Sequence, residues 1–225
     1  GVVMNIIKVM SDDLSNKIAA GEVVESLMNI VKELVENSID AGASVIKIYL
    51  MESGIKSIKV VDDGKGMSRE DCKNSILRHA TSKLYSKDDL FNINTLGFRG
   101  EALPSIGSVS KMTIATSDEE SSTLLEVTGG VITNCSSTEL RRGTSISVCD
   151  IFYNTPARFK YLKSLHTELA NILNYVNKMA LANPSISFYL ENDSKVLLNT
   201  DGSGNLLKVI NSIYGLDVTK KMLKV

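Results

Sequence analysis

A carboxylate and a carboxamide one helical turn apart, Glu33 and Asn37, are the first residues of this 225-residue chain whose types and spacing can do chemistry. They lie in KELVENSIDAGA, and on a helical projection with Val31 at zero they fall at about 200° and about 240°, opposite the apolar positions. Such a pair can activate a water and ligate a hard cation through oxygen. Taken alone, it is also an ordinary solvated helix face. The segment DDGKGM, Asp62 to Met67, adds a second group. Asp62, at a strand end, can accept a hydrogen bond from an exocyclic amine such as that of adenine, and Gly64 and Gly66 permit close backbone approach. Asp-Gly is equally common turn chemistry.

A third cluster runs from Thr81, Ser82 and Lys83 in RHATSK to Leu96, Gly97, Phe98, Arg99, Gly100 and Glu101 in LGFRGEAL. A helix is predicted to start near Glu101, so backbone amides at its N-terminus can cradle phosphates. The Walker A pattern, GxxxxGK followed by Ser or Thr, is absent. A polar surface loop is the plain alternative for Thr81 to Lys83. Thr144, at the start of TSISVCD, can join Asp62 at a base edge.

Positioning these groups requires a particular set of elements. Leu27, Val31, Leu34, Val35, Ser38 and Ile39 recur at helical spacing, predicting a long helix that reaches Ala41 and is capped by Gly42. VIKIYLME and IKSIKVVDD read as a hairpin, with Ile46, Ile48 and Leu50 on one side. A helix follows near Ser68. Periodicity fades from 79 to 101, as in a lid or a disordered loop, and the lid is the favoured reading. KMTIATS, TLLEVTGGVITNC with its Gly129-Gly130 turn, and TSISVCD read as strands. A helix from about Ser164 to Ala182 repeats Leu165, Leu169, Ile172, Leu173, Val176 and Met179, and Pro184 stops it. ISFYLE and KVLLN pair around an Asn-Asp turn, and DGSG marks a boundary before a terminal helix. The expected fold is α+β: a layered sandwich of a mainly antiparallel sheet covered by helices on one face.

Bulk properties narrow the class. With 43% hydrophobic and 23% charged residues, the chain has an ordinary globular composition. A net charge of -1 gives no electrostatic reason to expect nucleic-acid binding by this segment itself. Cys72, Cys135 and Cys149 lack metal-ligand spacing and read as reduced thiols of a cytoplasmic protein. No apolar stretch approaches the roughly 20 residues needed to span a bilayer. Gly1 to Val3 precede Met4 and are set aside as a cloning remnant.

Together NKIAAGEVVE, KELVENSIDAGA, DDGKGM, RHATSK, LGFRGEALPSI and FYNTPAR resemble, in order and spacing, the MutL family of DNA mismatch repair proteins, in its bacterial form. The strings span about Asn16 to Arg158, with a looser match beyond. The resemblance implies the Bergerat ATP-binding fold shared with DNA gyrase B, the ninety-kilodalton heat-shock chaperones and sensor histidine kinases. It implies ATP and Mg²⁺ as cofactors, with Glu33 as general base, Asn37 as magnesium ligand and Asp62 as adenine-binding aspartate assisted by Thr144. Gly64, Gly66 and Met67 then lie beneath the nucleotide. Thr81, Ser82, Lys83 and Leu96 to Glu101 belong to a lid over the phosphates.

Implied partners are a second copy, joined on ATP binding through residues 4–20 and the lid, a MutS-type mismatch recognition protein, and a downstream repair nuclease or helicase. DNA is expected mainly on regions outside this chain, which is placed in the cytoplasm and at the nucleoid during repair. Residues 4–202 form the ATP-binding domain, and 203–225 begin a second subdomain. In the family that subdomain supplies a lysine reaching the γ-phosphate, and none of Lys220, Lys221 or Lys224 matches it. The chain is therefore expected to bind nucleotide better than it turns it over. Another departure is Ser26-Leu27, where many relatives carry Arg-Pro, a change expected to affect only how the helix begins.

Overall fold

The computed structural model describes residues 24–77, 99–139, 141–215 and 222, with the backbone alone at 99–101. Residues 4–20, expected to join a second copy, and most of the lid lie outside these residues. Helix α1, Leu27–Asp40, starts where Ser26 adopts an extended backbone and its hydroxyl accepts the Asn29 N–H at 3.2 Å. The departure at Ser26 is thus the helix N-cap, satisfying a donor that the first turn would leave open. Gly42, at φ +73°, turns the chain out of the helix. Of the predicted stripe, Leu27, Val31, Leu34, Val35 and Ser38 are buried, joined by Ile30, while Ile39 is half-buried.

The chain then builds one eight-stranded sheet. Its strands are β1 Val45–Met51, β2 Ser57–Asp62, β3 Lys111–Ser117, β4 Ser122–Thr128, β5 Val131–Ser137, β6 Gly143–Cys149, β7 Ser187–Asn192 and β8 Lys195–Asn199. They lie in the order β5-β4-β3-β6-β2-β1-β7-β8. Every neighbouring pair is antiparallel except β1 with β7. A parallel pair needs a crossover, and the one leading into β7 contains α5, Leu165–Ala182, which packs against α1 and the β7–β8 edge. The other helices are α2 Arg69–Ser75, α3 Arg99–Ser108, the single turn α4 Pro156–Phe159, and α6 Leu206–Tyr214.

Alternation decides which sheet face is covered. Ile46, Ile48 and Leu50 on β1, Ile58 and Val60 on β2, Met112 and Ile114 on β3, Ile146 and Val148 on β6, and Phe188 and Leu190 on β7 are all buried in one core with α1, α3 and α5. The intervening Lys47 and Lys59 are exposed on the opposite face, where Tyr49 and Tyr189 meet with ring centroids 5.8 Å apart. Period-2 patterning therefore gives the expected one-sided α+β layering.

Three local expectations need adjusting. Leu165 is 44% exposed, because the first turn of α5 overhangs the core and buries Glu168 instead. Glu168 Oε1 accepts the Lys163 N–H, tying down the chain that enters the helix. The last hairpin turns at Asp193 and Ser194, both at positive φ, one residue later than the expected Asn-Asp. Helix α3 begins at Arg99, two residues before Glu101.

Equilibrium urea unfolding should rank two variants. Phe188→Ala, at a fully buried site in β7, should cost about 3–5 kcal/mol, and Ser26→Ala, losing the cap, about 1 kcal/mol.

Candidate functional site

Two adjacent aspartates at the end of β2 take opposite directions, and that split creates the site. The Asp63 carboxylate accepts the backbone N–H groups of Ser44 at 2.8 Å and Val45 at 2.9 Å and the Ser44 hydroxyl. Slight burial would raise its pKa, but these donors win and hold it below the usual carboxylate value. Asp63 thus fastens the link between α1 and β1. Asp62 points the other way, under α1. Its Oδ1 accepts the Gly64 N–H at 2.9 Å, and its Oδ2 accepts the Ser38 hydroxyl at 2.6 Å. Burial pushes the Asp62 carboxyl above its usual 3.8; hydrogen bonds from the Ser38 hydroxyl and the backbone N–H groups of Gly64 and Thr144 oppose the rise, and the charge of Asp63 adds to it.

Close backbone approach explains two glycines. Gly66 has φ +69°, and a Cβ there would lie 1.8 Å from the Ser117 carbonyl oxygen of β3. Gly143 has φ +108°, and a Cβ would lie 2.0 Å from the Asp62 carbonyl oxygen. The DDGKGM loop can fold back over the sheet, and β6 can start beside Asp62, only because both positions lack a side chain.

Between α1, the DDGKGM loop and α2 opens a cavity of about 500 Å³. Leu34, Val60, Leu103 and Ile146 supply apolar wall, while Asn37, Asp62 and Thr144 project polar groups into it. An apolar chamber with a few convergent polar groups is the usual form of a small-molecule site, and the volume suits one. The opposite sheet face carries a hollow of similar volume, about 490 Å³, whose wall includes Tyr49, Lys59 and Arg142 and shares Asp62 and Thr144 with the first.

Of the residues singled out from sequence, Asn37, Asp62, Gly66, Met67 and Thr144 line the one cavity. Gly64 is buried behind Asp62 and holds it through its N–H. Glu33 lies one turn before Asn37, half-buried and off the cavity wall. On α5, the Tyr175 phenol is pushed well up by burial, then by the nearby charges of Glu36 and Glu33. Thr81, Ser82, Lys83, Leu96, Gly97 and Phe98 lie outside the described residues. Arg99, Gly100 and Glu101 form the first turn of α3, the helix that carries Leu103 to the wall. Among the described residues, no group of three His, Cys, Asp or Glu side chains is placed to hold a metal, and the three cysteines are free.

Sequence reasoning missed Ser38. Helical periodicity puts it in the apolar stripe, and it is indeed buried, but its hydroxyl serves Asp62 and also approaches the Leu34 carbonyl at 3.2 Å. A polar residue in an otherwise apolar stripe was the available signal. Asp71 and Asn74 of α2, on the rim, carried no signal at all.

Comparison with known proteins places the fold in a family. The model of the histidine kinase-, DNA gyrase B- and HSP90-like ATPases matches residues 25–153. The DNA mismatch repair protein MutL of Bacillus licheniformis is 56% identical over 215 residues, 95% of this chain and 34% of that protein. MutL of Listeria monocytogenes is 52% identical over 217 residues, 96% of this chain and 36% of that protein. The chain thus spans about a third of the length of these curated relatives. Among solved structures, the Aquifex aeolicus MutL ATPase domain complexed with ADP superposes with a TM-score of 0.69 at 30% identity, covering 85% of this chain and 70% of that one. The N-terminal domain of a DNA repair protein gives 0.78 at 32% identity, covering 92% and 62%. The chain belongs to the histidine kinase-, DNA gyrase B- and HSP90-like ATPase family, in the branch formed by the ATPase regions of MutL DNA mismatch repair proteins.

Proposed function

We propose that the cavity between α1 and the DDGKGM loop binds ATP, with the base at Asp62 and Thr144 and the phosphates toward Asn37 and the start of α3. The observation that carries this reading is the joint presence of Asn37 and Asp62 on one wall, fixed relative to each other by the Ser38–Asp62 bond. Gly64, Gly66 and Met67 support the nucleotide from below. Thr81, Ser82 and Lys83, then Leu96, Gly97, Phe98, Arg99, Gly100 and Glu101, close over the phosphates.

The donor set suits Mg²⁺. A single carboxamide oxygen, with no acidic cluster beside it among the described residues, matches a cation that takes most of its ligands from phosphates and water. Bound through Asn37, the ion would neutralise charge on the phosphates during transfer. Glu33, one turn away on the same helix, orients and deprotonates the attacking water. Its position off the wall favours a second reading, a nucleotide-gated binding module in which ATP is a structural switch and hydrolysis is incidental.

In the whole protein, nucleotide state drives pairing of two copies through residues 4–20 and the lid at 79–101. The paired form couples a MutS-type mismatch recognition protein to a downstream repair nuclease or helicase, with DNA held mainly by regions outside this chain. Residues 4–202 make the ATP-binding domain, and those from 203 open a second subdomain through α6. Among the described residues no helix is long and apolar enough to cross a membrane, in keeping with work in the cytoplasm at the nucleoid.

In the full-length protein, Glu33→Ala should bind ATP normally yet hydrolyse it about 10²- to 10⁴-fold more slowly, whereas Asn37→Ala should lose magnesium-dependent binding. Steady-state turnover and equilibrium binding read the two effects, and parental turnover in Glu33→Ala would reject its role. Acidification supplies another check. Asp62 accepts from an amine far more strongly when ionised than when protonated, and its folded-state pKa is raised above 3.8. Nucleotide affinity should therefore fall as pH drops through that raised value, before ordinary carboxylates protonate. For the free protein the sign reverses: the Asp62 contribution to stability is fully present below 3.8 and lost as pH rises through the folded value. Calorimetric titration of the parent and Asp62→Asn should show the acid loss of affinity only in the parent.

A further inference from the structure

Strand register sets three polar residues in one row across the sheet. Asp62 of β2 is paired with Thr144 of β6, and Thr144 with Thr116 of β3. Thr116 is 2% exposed and contributes nothing to the cavity wall. Its hydroxyl oxygen nevertheless lies 2.8 Å from that of Thr144 and accepts the Met67 N–H at 2.9 Å. Met67, in turn, sits on the cavity wall at the end of the DDGKGM loop.

The direction of this chain of bonds follows from counting hydrogens. A hydroxyl carries one. If Thr144 donated to Thr116, the Thr116 hydrogen would be shut away from water without an acceptor among the described residues, an arrangement that native interiors avoid. With Thr116 donating to Thr144, every group is matched: Met67 N–H to the Thr116 oxygen, and Thr116 O–H to the Thr144 oxygen. The Thr144 hydrogen is then released toward the cavity. Beside it, the Asp62 carboxylate already receives Ser38 and Gly64 and presents acceptor capacity only. The wall thus offers an acceptor and a donor side by side. Adenine offers the complement, an exocyclic N–H beside the bare ring nitrogen N1. Guanine offers the reverse, a carbonyl oxygen beside N1–H.

We propose that Thr116 is a specificity-determining positioning residue, which fixes the Thr144 hydroxyl as a donor to N1 of the base and so selects adenine over guanine. This rests on the nucleotide reading of the cavity. It assigns a role to a residue that touches no ligand, and it links base choice to the Met67 end of the loop.

The test is a comparison of ADP with 1-deaza-ADP, in which N1 is replaced by C–H, binding to this chain and to its Thr116→Val and Thr116→Ser variants. Calorimetry should show the parent preferring ADP by about fivefold, the scale of one net hydrogen bond. Thr116→Val should bring the two affinities together, mainly by weakening ADP, and Thr116→Ser should keep the preference. A merely structural role for Thr116 would weaken both ligands equally in Thr116→Val; that result, or an unchanged preference, overturns the proposal. If thermal melting shows Thr116→Val to be unfolded, Thr116→Ala takes its place under the same criteria. Equal binding of both ligands by the parent rejects the inference while leaving the nucleotide site standing. Failure of the parent to bind either ligand removes the site and the inference together.

Discussion

A bond of 2.6 Å between the Ser38 hydroxyl and the Asp62 carboxylate joins the helix layer to the sheet layer at a point where both turn polar. Burying a carboxylate costs free energy unless donors surround it. Asp62 meets that condition with Ser38 from α1 and Gly64 from its own loop, and Thr144 on the next strand lends further support. Because Ser38 follows Asn37 directly, fixing one fixes the other. The apolar side of α1 is locked into the core by Leu34 and Val35, so the helix has little freedom to roll. The backbone that carries Asn37 is therefore held in a constant relation to the Asp62 carboxylate.

The same economy shows in the paired aspartates. Asp63 spends its oxygens on the backbone that links α1 to β1, which holds the helix end against the strand. Asp62 is left with lone pairs for the cavity. Gly66 and Gly143 then allow the loop and β6 to come within van der Waals range of β3 and β2, where any side chain would strike a carbonyl oxygen. One surface of the chamber is thus built from the ends of the central strands β2 and β6, where Asp62 and Thr144 are paired.

Much of this was legible in the sequence, and the parts that were not share a cause. Period-3.6 and period-2 patterns gave α1, α5 and the strands, since each buries one face against the core. Residues in a short glycine-containing motif, such as Asp62 and Met67, stood out because backbone demands narrow the choice of residue there. Ser38 and Thr116 were missed because their roles depend on partners 24 and 28 residues away, Asp62 and Thr144, and a local pattern sees only a small residue at a buried helical position or in a strand. The parallel pairing of β1 with β7 is likewise non-local. Leu165 fitted the helical repeat but fell outside the core, since periodicity cannot tell where a helix overruns the layer beneath it.

The central claim is that the nucleotide enters the chamber between α1 and the DDGKGM loop. Backbone amide chemical shifts of this chain, followed during titration with magnesium and ADP, test it most directly. The account predicts that the largest changes fall on Asn37, Ser38 and Gly64 to Met67, while Tyr49, Lys59 and Arg142 on the far sheet face stay nearly still. Saturable changes centred on that far face, with Asn37 and Gly64 to Met67 unmoved, would contradict it.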